Sequence, residues 1–225
     1  MINKNTKVCI SIAESAGNFG CSIHNAAFKK VGCDFIYKSF SVKKSELNSA
    51  IKGIKAFGIR GCGVTMPYKI SAINFVDKIS EEVGVIGSCN TIINDDGVLT
   101  AYNTDAYSTY TVLSKIKHRD IIYILGSGGF SKAAQFSAKK LFDEVKIITR
   151  NNWEEIGNID SGLIFNCTPV ENITVNPNVC FIDCLINTQT GKELSLLQAS
   201  KQFHMYTGIK FPMEYVKKNL EEILI

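Results

Sequence analysis

The N-terminal part of the chain alternates short apolar runs with segments of helical apolar spacing. Continuous apolar runs are typical of buried strands, and apolar residues three and four apart are typical of helices packed on one face. The pattern predicts strands at Lys7–Ile12, Phe35–Tyr37 with Phe40, and Gly61–Thr65, and helices at 23–31, 44–56 and 70–75. Asp95-Asp96-Gly97, between two strand-like runs, predicts a β-hairpin because an Asp-Gly pair favours the tight hairpin turn.

The pattern changes near residues 100–105. An apolar strand at 120–125 is followed by a glycine turn, a helix at 131–141 and a second strand at 145–149, which is the order of a parallel βαβ unit. Two further strands are predicted at 163–166 and 179–182, and a last helix at 212–225. We therefore expect an α/β protein of two domains, residues 1–103 with a returning C-terminal helix at 208–225, and residues 104–207.

Composition narrows the class of protein. The 225 residues are 45% hydrophobic and 20% charged, as in globular proteins, and the net charge of +4 is small and dispersed, which argues against a nucleic-acid partner. No apolar run is long enough to span a bilayer, so no membrane partner is expected. The eight cysteines form no CxxC pair, the three histidines are far apart, and the N-terminus lacks a signal-peptide pattern. These features predict reduced cytoplasmic thiols and no metal site.

A glycine-rich turn follows the first strand of the βαβ unit and opens its helix. Gly126 permits a tight turn, and Gly128 lets the backbone approach a pyrophosphate. Ser127 and Gly129 complete the loop, and the exposed N–H groups of the next helix attract phosphate charge. Ser131 stands where the GxGxxG pattern has its third glycine, so the motif is imperfect. Its context nevertheless favours a nucleotide site in a Rossmann-type domain over a plain glycine turn.

The tip of the second strand indicates which nucleotide is bound. Enzymes that use NAD place Asp or Glu there to hold the ribose 2′-hydroxyl. Here the strand ends in Thr149-Arg150-Asn151, with no carboxylate. Arg150 can pair with a 2′-phosphate, and Thr149 and Asn151 can add hydrogen bonds, so we expect NADP as the cofactor.

Hydride transfer to or from an alcohol carbon also needs a group that moves a proton. Lys69, in Gly61-Cys62-Gly63-Val64-Thr65-Met66-Pro67-Tyr68-Lys69, is the candidate, and Asp105 is a carboxylate that could orient it. On spacing alone this assignment is weak, because an isolated lysine is most often solvated.

Several segments resemble, in order and spacing, motifs of the shikimate dehydrogenase family. Gly61–Lys69 is similar to its GxNVTxPxK motif, and Gly87–Thr91 with Tyr102–Asp105 is similar to its GAxNT…GxNTD run. The further similar segments are Ile23–Phe28, Gly126–Ala133, Thr149–Asn151 and Phe165–Pro169. The resemblance implies an N-terminal α/β substrate domain and a Rossmann-type NADP-binding domain. It also implies aromatic amino acid biosynthesis, through reversible reduction of 3-dehydroshikimate to shikimate with NADPH.

The resemblance also implies roles for individual residues. Lys69 matches the catalytic lysine and Asp105 its aspartate partner. Thr65 and Asn90 match residues that hold the substrate, and Thr168 lies at the strand end beside the nicotinamide. The phosphate loop and the Arg150 contact match those inferred above.

Departures from the family pattern are concentrated at the substrate. Two serines expected before the first helix are replaced by Asn18 and Gly20, and the asparagine of NVT is Gly63. This pattern is most like the divergent shikimate dehydrogenase-like branch. Asn18 could replace one lost donor through its amide. The alternatives are therefore a dehydrogenase for another hydroxylated ring acid such as quinate, and an NADP-binding sensor without turnover. We expect a monomer or a homodimer.

Overall fold

The computed structural model describes residues 2–225 and divides into two compact units. The first unit comprises Met1–Thr104 and Ala199–Ile225, and the second comprises Asp105–Gln198. The strands are β1 (Lys7–Ala13), β2 (Phe35–Ser41), β3 (Gly61–Val64), β4 (Lys78–Ile79), β5 (Thr91–Asp95), β6 (Val98–Tyr102), β7 (Ile121–Leu125), β8 (Glu144–Ile148), β9 (Leu163–Asn166) and β10 (Cys180–Asp183). The helices are α1 (Phe19–Val31), α2 (Leu47–Ala56), α3 (Glu81–Ile86), α4 (Thr104–Leu113), α5 (Gly129–Ala138), α6 (Gln189–Thr207), α7 (Met213–Lys218) and α8 (Leu220–Leu224).

The first unit is built on a mixed sheet with strand order β2-β1-β3-β5-β6-β4. β1 pairs in parallel with β2 and β3, whereas β5 is antiparallel to both β3 and β6. The predicted hairpin is confirmed: β5 and β6 pair, and both Asp96 and Gly97 adopt the positive φ that its tight turn requires. Parallel strands end at the same edge of a sheet, so the segments after β1 and β3 are neighbours.

The two faces of this sheet bury different side chains. On one face, Ile12, Val64 and Ile92 pack against the buried stripe of α2, which includes Ile51 and Ile54. The other face carries an aromatic cluster contributed by α1, β2 and α6: His24, Phe28, Tyr37, Phe203 and Tyr206. Gly61 lacks a side chain because a Cβ there would overlap the ring of Tyr206.

The second unit is a parallel four-stranded sheet with order β10-β9-β7-β8. Ile122, Ile124 and Phe165 pack with residues of α4 and α5 on one face. Leu125, Ile148 and Ile164 form a second buried cluster with residues of the 3-10 segment Arg150–Asn158 that follows β8, such as Ile156. The α/β class expected from the sequence is confirmed, since strands of this parallel sheet are joined by helices.

Helix α6 was not predicted from the sequence and changes the division of the chain. The sequence puts the returning segment at 208–225, whereas the structure returns to the first unit at Ala199, within α6. The earlier break lies between Thr104 and Asp105, inside α4, one residue beyond the predicted 103/104 boundary. Among residues 2–225, none of the helices combines the length and hydropathy needed to cross a bilayer.

Candidate active site

Three of the predicted site residues lie on connected segments at one edge of the first sheet. Thr65 follows β3, is exposed, and donates its backbone N–H to Ile12 O of β1 at 3.0 Å. Lys69 is half-buried, and its carbonyl accepts the N–H of Cys89 at 2.7 Å. Asn90 is next in the chain, and its carbonyl accepts the N–H of Val64 at 2.7 Å. These backbone bonds bring the segments of Thr65, Lys69 and Asn90 together.

The side chain of Asn90 is held by a dense set of hydrogen bonds. Its Oδ1 accepts the N–H of Thr104 at 2.7 Å and the hydroxyl of Thr91 at 2.9 Å. Its Nδ2 donates to Thr104 Oγ1 at 2.9 Å. All three residues are buried. The amide therefore has a fixed orientation, with its oxygen turned to protein donors.

Asn18 and Gly20 lie at the start of α1, beyond the carboxyl end of β1. Asn18 is exposed and is the N-cap residue of α1. Its carbonyl accepts the Ser22 N–H at 2.9 Å, which is the first backbone bond of the helix, and its side chain makes no capping bond. A Cβ built at Gly20 meets no atom within 4 Å. Packing therefore does not require glycine at this position.

Asp105 is fully buried in the first turn of α4. It directly follows Thr104, the residue bonded to Asn90. Its carbonyl accepts the hydroxyls of Ser108 and Thr109, each at 2.9 Å. A carboxylate near the N-terminus of a helix is stabilised by the helix dipole.

Gln202 of α6 is a buried polar residue that the sequence analysis missed. Its Nε2 donates to Thr91 Oγ1 at 3.0 Å and to Asn90 O at 3.2 Å. The sequence carried no signal for it, because α6 itself was not predicted.

His24 is buried in the aromatic cluster, stacked on Tyr37 with ring centroids 4.5 Å apart. Within residues 2–225, neither ring nitrogen has a hydrogen-bond partner. Burial lowers the pKa of His24 to about 4. The nearby side chain of Gln202 raises this pKa, but by less than burial lowers it. The imidazole is therefore neutral at pH 7.

The glycine loop of the second unit has the backbone expected for a phosphate site. Gly126 has a φ of +110°, which only glycine adopts readily, and its N–H donates to Ile148 O. Gly128 caps α5, and a Cβ built there meets nothing within 4 Å. Ser127 is exposed and Gly129 is the first residue of α5. The open space before Gly128, at a helix N-terminus, fits close approach of a phosphate group.

Ser131 replaces the third glycine of the motif without disturbing the loop. It is buried, and its hydroxyl donates to Gly126 O at 2.6 Å. Gln135 Nε2 in turn donates to Ser131 Oγ at 3.0 Å. The serine thus closes the first turn of α5 onto the glycine loop.

Thr168 lies beside this loop in the turn after β9. Its methyl group is 3.0 Å from the position of a Cβ at Gly126. Its hydroxyl and N–H both donate to Oδ1 of the buried Asn166, at 2.7 Å and 2.9 Å. The structure therefore brings Thr168 and the glycine loop together.

Thr149, Arg150 and Asn151 follow β8, next to the glycine loop. Thr149 caps the 3-10 segment that starts at Arg150: its Oγ1 accepts Asn151 N–H at 3.3 Å, and Asn152 Oδ1 accepts Thr149 N–H at 2.8 Å. Arg150 and Asn151 are exposed. Within residues 2–225, no group of three or more His, Cys, Asp or Glu side chains is arranged to hold a metal ion.

Comparison with known proteins gives consistent matches. Residues 18–92 match the model of the shikimate dehydrogenase substrate binding domain. The chain is 41% identical over 154 residues to a shikimate dehydrogenase-like protein of Haemophilus influenzae, covering 67% of this chain and 56% of that relative. It is 32% identical over 204 residues to the shikimate dehydrogenase (NADP(+)) of Clostridium beijerinckii, covering 77% and 76%.

A solved structure supports the same comparison. A shikimate dehydrogenase in complex with NADP+ superimposes with a TM-score of 0.83 at 27% identity, covering 100% of this chain and 98% of the other. The chain nevertheless spans little more than half the length of the Haemophilus relative, at 56%.

Proposed function

We propose, starting from the fact that this chain belongs to the shikimate dehydrogenase family, that it reversibly reduces 3-dehydroshikimate to shikimate with NADPH. The observation that carries the proposal is the bonded arrangement of the Thr65, Lys69 and Asn90 segments at one sheet edge. It brings the backbone of a lysine close to that of two polar residues, and proton transfer to a hydroxylated substrate needs such a combination of residues.

We assign the ring acid to the first unit and the nucleotide to the second. The match of residues 18–92 to a substrate-binding domain model supports the first assignment. The open approach to Gly128 at the start of α5 supports the second.

NADP, when bound, supplies or accepts the hydride. Gly126, Ser127, Gly128 and Gly129 would hold its pyrophosphate. Arg150 would pair with the 2′-phosphate, with Thr149 and Asn151 beside it and Thr168 near the loop. The exposed guanidinium and the lack of a carboxylate at the tip of β8 support NADP over NAD.

Lys69 is the general acid and base of the proposed reaction. It donates a proton to the substrate oxygen when the ketone is reduced, and it takes that proton back when the alcohol is oxidised. Asp105 is its carboxylate partner. Thr65, Asn90 and Asn18 hold the substrate, as the family resemblance implies.

A second candidate substrate is another hydroxylated ring acid, such as quinate. Gly20 lacks the hydroxyl that the family pattern supplies for the substrate carboxylate, and Asn18 is exposed. Loss of a hydrogen bond to a charged group costs about 1.5–3 kcal/mol, so affinity for shikimate itself is expected to be reduced.

The test is steady-state formation of reduced cofactor with shikimate or quinate, each with NADP or NAD. Lys69→Ala should abolish turnover while binding of NADPH, followed by its fluorescence, is retained. Lys52→Ala, which removes an exposed lysine of α2, is the matched control and should leave turnover unchanged.

The combinations separate the candidates. Turnover of shikimate with NADP that is lost only in Lys69→Ala supports the proposed reaction, and faster turnover of quinate supports the second substrate. Binding of NADPH without turnover of any ring acid would instead favour a sensor.

A further inference from the structure

We propose that Gln202 is a positioning residue of the ring-acid site, acting on Asn90 through Thr91. This inference rests on the proposed function, which gives Asn90 its contact with the substrate. None of the motifs in the sequence includes Gln202, and it reaches the site from α6, the helix that the sequence pattern did not predict.

The hydrogen bonds from Gln202 form a directed chain. Gln202 Nε2 donates to Thr91 Oγ1 at 3.0 Å, and Thr91 Oγ1 donates to Asn90 Oδ1 at 2.9 Å. Because Gln202 supplies the proton that Thr91 Oγ1 accepts, the Thr91 hydroxyl points its own proton at Asn90. The chain therefore adds a second donor, beside the Thr104 N–H, that holds the Asn90 oxygen in its orientation.

Gly63 lies beside Gln202 and leaves room for the hydroxyl of Tyr37. Gly63 is paired with Thr91 across the β3–β5 ladder. A Cβ at Gly63 would be 3.7 Å from Gln202 Nε2 and 2.7 Å from the hydroxyl of Tyr37. The family motif that this segment resembles has asparagine at this position. A side chain at this position would overlap Tyr37, and the amide beside it is that of Gln202 from α6.

The C-terminal turns of α6 are fixed firmly enough to hold Gln202. Phe203 packs on Phe28 with centroids 5.1 Å apart. Arg60 Nε donates to Tyr206 O at 3.1 Å, and its Nη2 donates to Met205 O at 3.2 Å. These contacts satisfy carbonyls at the end of the helix, which would otherwise lack partners.

The experiment compares Gln202→Leu with Gln189→Leu, which removes an exposed glutamine of the same helix. We expect Gln202→Leu to lower kcat/KM for the ring acid about tenfold, since it removes hydrogen bonds that orient a substrate contact. The KM for NADPH should stay close to that of Gln189→Leu, whereas the melting temperature should fall, because Thr91 Oγ1 and Asn90 O each lose a buried donor.

A second readout does not need turnover. The side-chain amide protons of Asn90, followed by NMR, should exchange faster with water in Gln202→Leu than in Gln189→Leu. If the wild-type protein turns over no ring acid, the proposed function fails, and this exchange rate alone decides the positioning role.

Two results would overturn the inference. One is an unchanged Asn90 exchange rate with unchanged kinetic constants in Gln202→Leu. The other is a lower melting temperature with an unchanged ring-acid KM and kcat, which would make Gln202 a structural residue only.

Discussion

Gly20 lies in the first turn of α1, and open space surrounds the position where its β-carbon would stand. The family pattern has a serine hydroxyl at this place, so the glycine is a change in chemistry that packing does not demand. A β-carbon can therefore be added here without displacing any neighbour, which makes the position suited to a gain-of-function test.

We expect Gly20→Ser to lower the KM for shikimate by roughly tenfold, because a hydrogen bond to a carboxylate contributes about 1.5–3 kcal/mol. The measurement is steady-state oxidation of shikimate with NADP. Gly157→Ser is the matched control, since a Cβ at Gly157 also meets nothing within 4 Å and it lies in the second unit. An unchanged KM in Gly20→Ser would mean that the ring carboxylate is held elsewhere.

At the scale of elements, the turn from β7 to α5 contains two glycines, and a different physical feature explains each of them. Gly126 is required by its backbone, since its φ is +110°. Gly128 has an ordinary φ of −75° and no protein atom near its would-be Cβ, so nothing within the described chain requires glycine there. A ligand bound in the space in front of Gly128 would explain why glycine stands at this position.

We therefore expect Gly128→Ala to leave the melting temperature unchanged and to weaken NADPH binding at least tenfold, because its methyl group would stand where the pyrophosphate approaches. Fluorescence titration with NADPH measures the effect. Gly157→Ala is the control, with the same atoms added in open space of the same unit. Equal NADPH affinity of the two variants would refute this position for the phosphates.

The sequence correctly predicted helices and strands whose apolar residues all pack in one hydrophobic core. The edges of β1 and β9 were predicted to within two residues, and the turn of the β5–β6 hairpin was predicted at Asp95-Asp96-Gly97. Helix α6 was not predicted because its two ends pack in different cores. Leu194 packs in the core of the second unit and Phe203 packs in the aromatic cluster of the first, so no single apolar stripe runs along the helix. Helix α3 is short, but its Ser80 cap, which accepts Val83 N–H, was a readable signal.

At the scale of the whole molecule, the candidate site was predictable only where motifs are contiguous in sequence. The glycine loop, Lys69 and Asn90 stand in such motifs. Gln202 is 111 residues from the Thr91 hydroxyl that it bonds. Thr168 stands in the contiguous motif Phe165–Pro169, but its contact with Gly126 forms only after folding. The alternation of apolar and polar residues identifies elements but not which polar groups meet after folding, so the support around Asn90 required the tertiary structure.

Stability of the whole chain should depend on pH through His24. The folded-state pKa of His24 is lowered to about 4 from its ordinary value of 6.5, with burial as the main cause. Between these values the unfolded state binds the proton and the folded state does not, so the free energy of unfolding falls as pH falls from 6.5 to 4. The pKa difference corresponds to a loss of about 3 kcal/mol across this window.

We expect His24→Phe, which keeps an aromatic ring on Tyr37 but cannot titrate, to lose less stability than the wild type between pH 6.5 and pH 4. Urea unfolding at a series of pH values measures the difference, and the carboxylates, common to both proteins, largely cancel in it. His118→Phe, at an exposed histidine, should follow the wild-type curve. If the curve of His24→Phe runs parallel to the wild type, the imidazole accepts its proton in the folded state as easily as in the unfolded one. The aromatic cluster would then be open to water, and the rigid support that it gives to α6 and Gln202 would have to be abandoned.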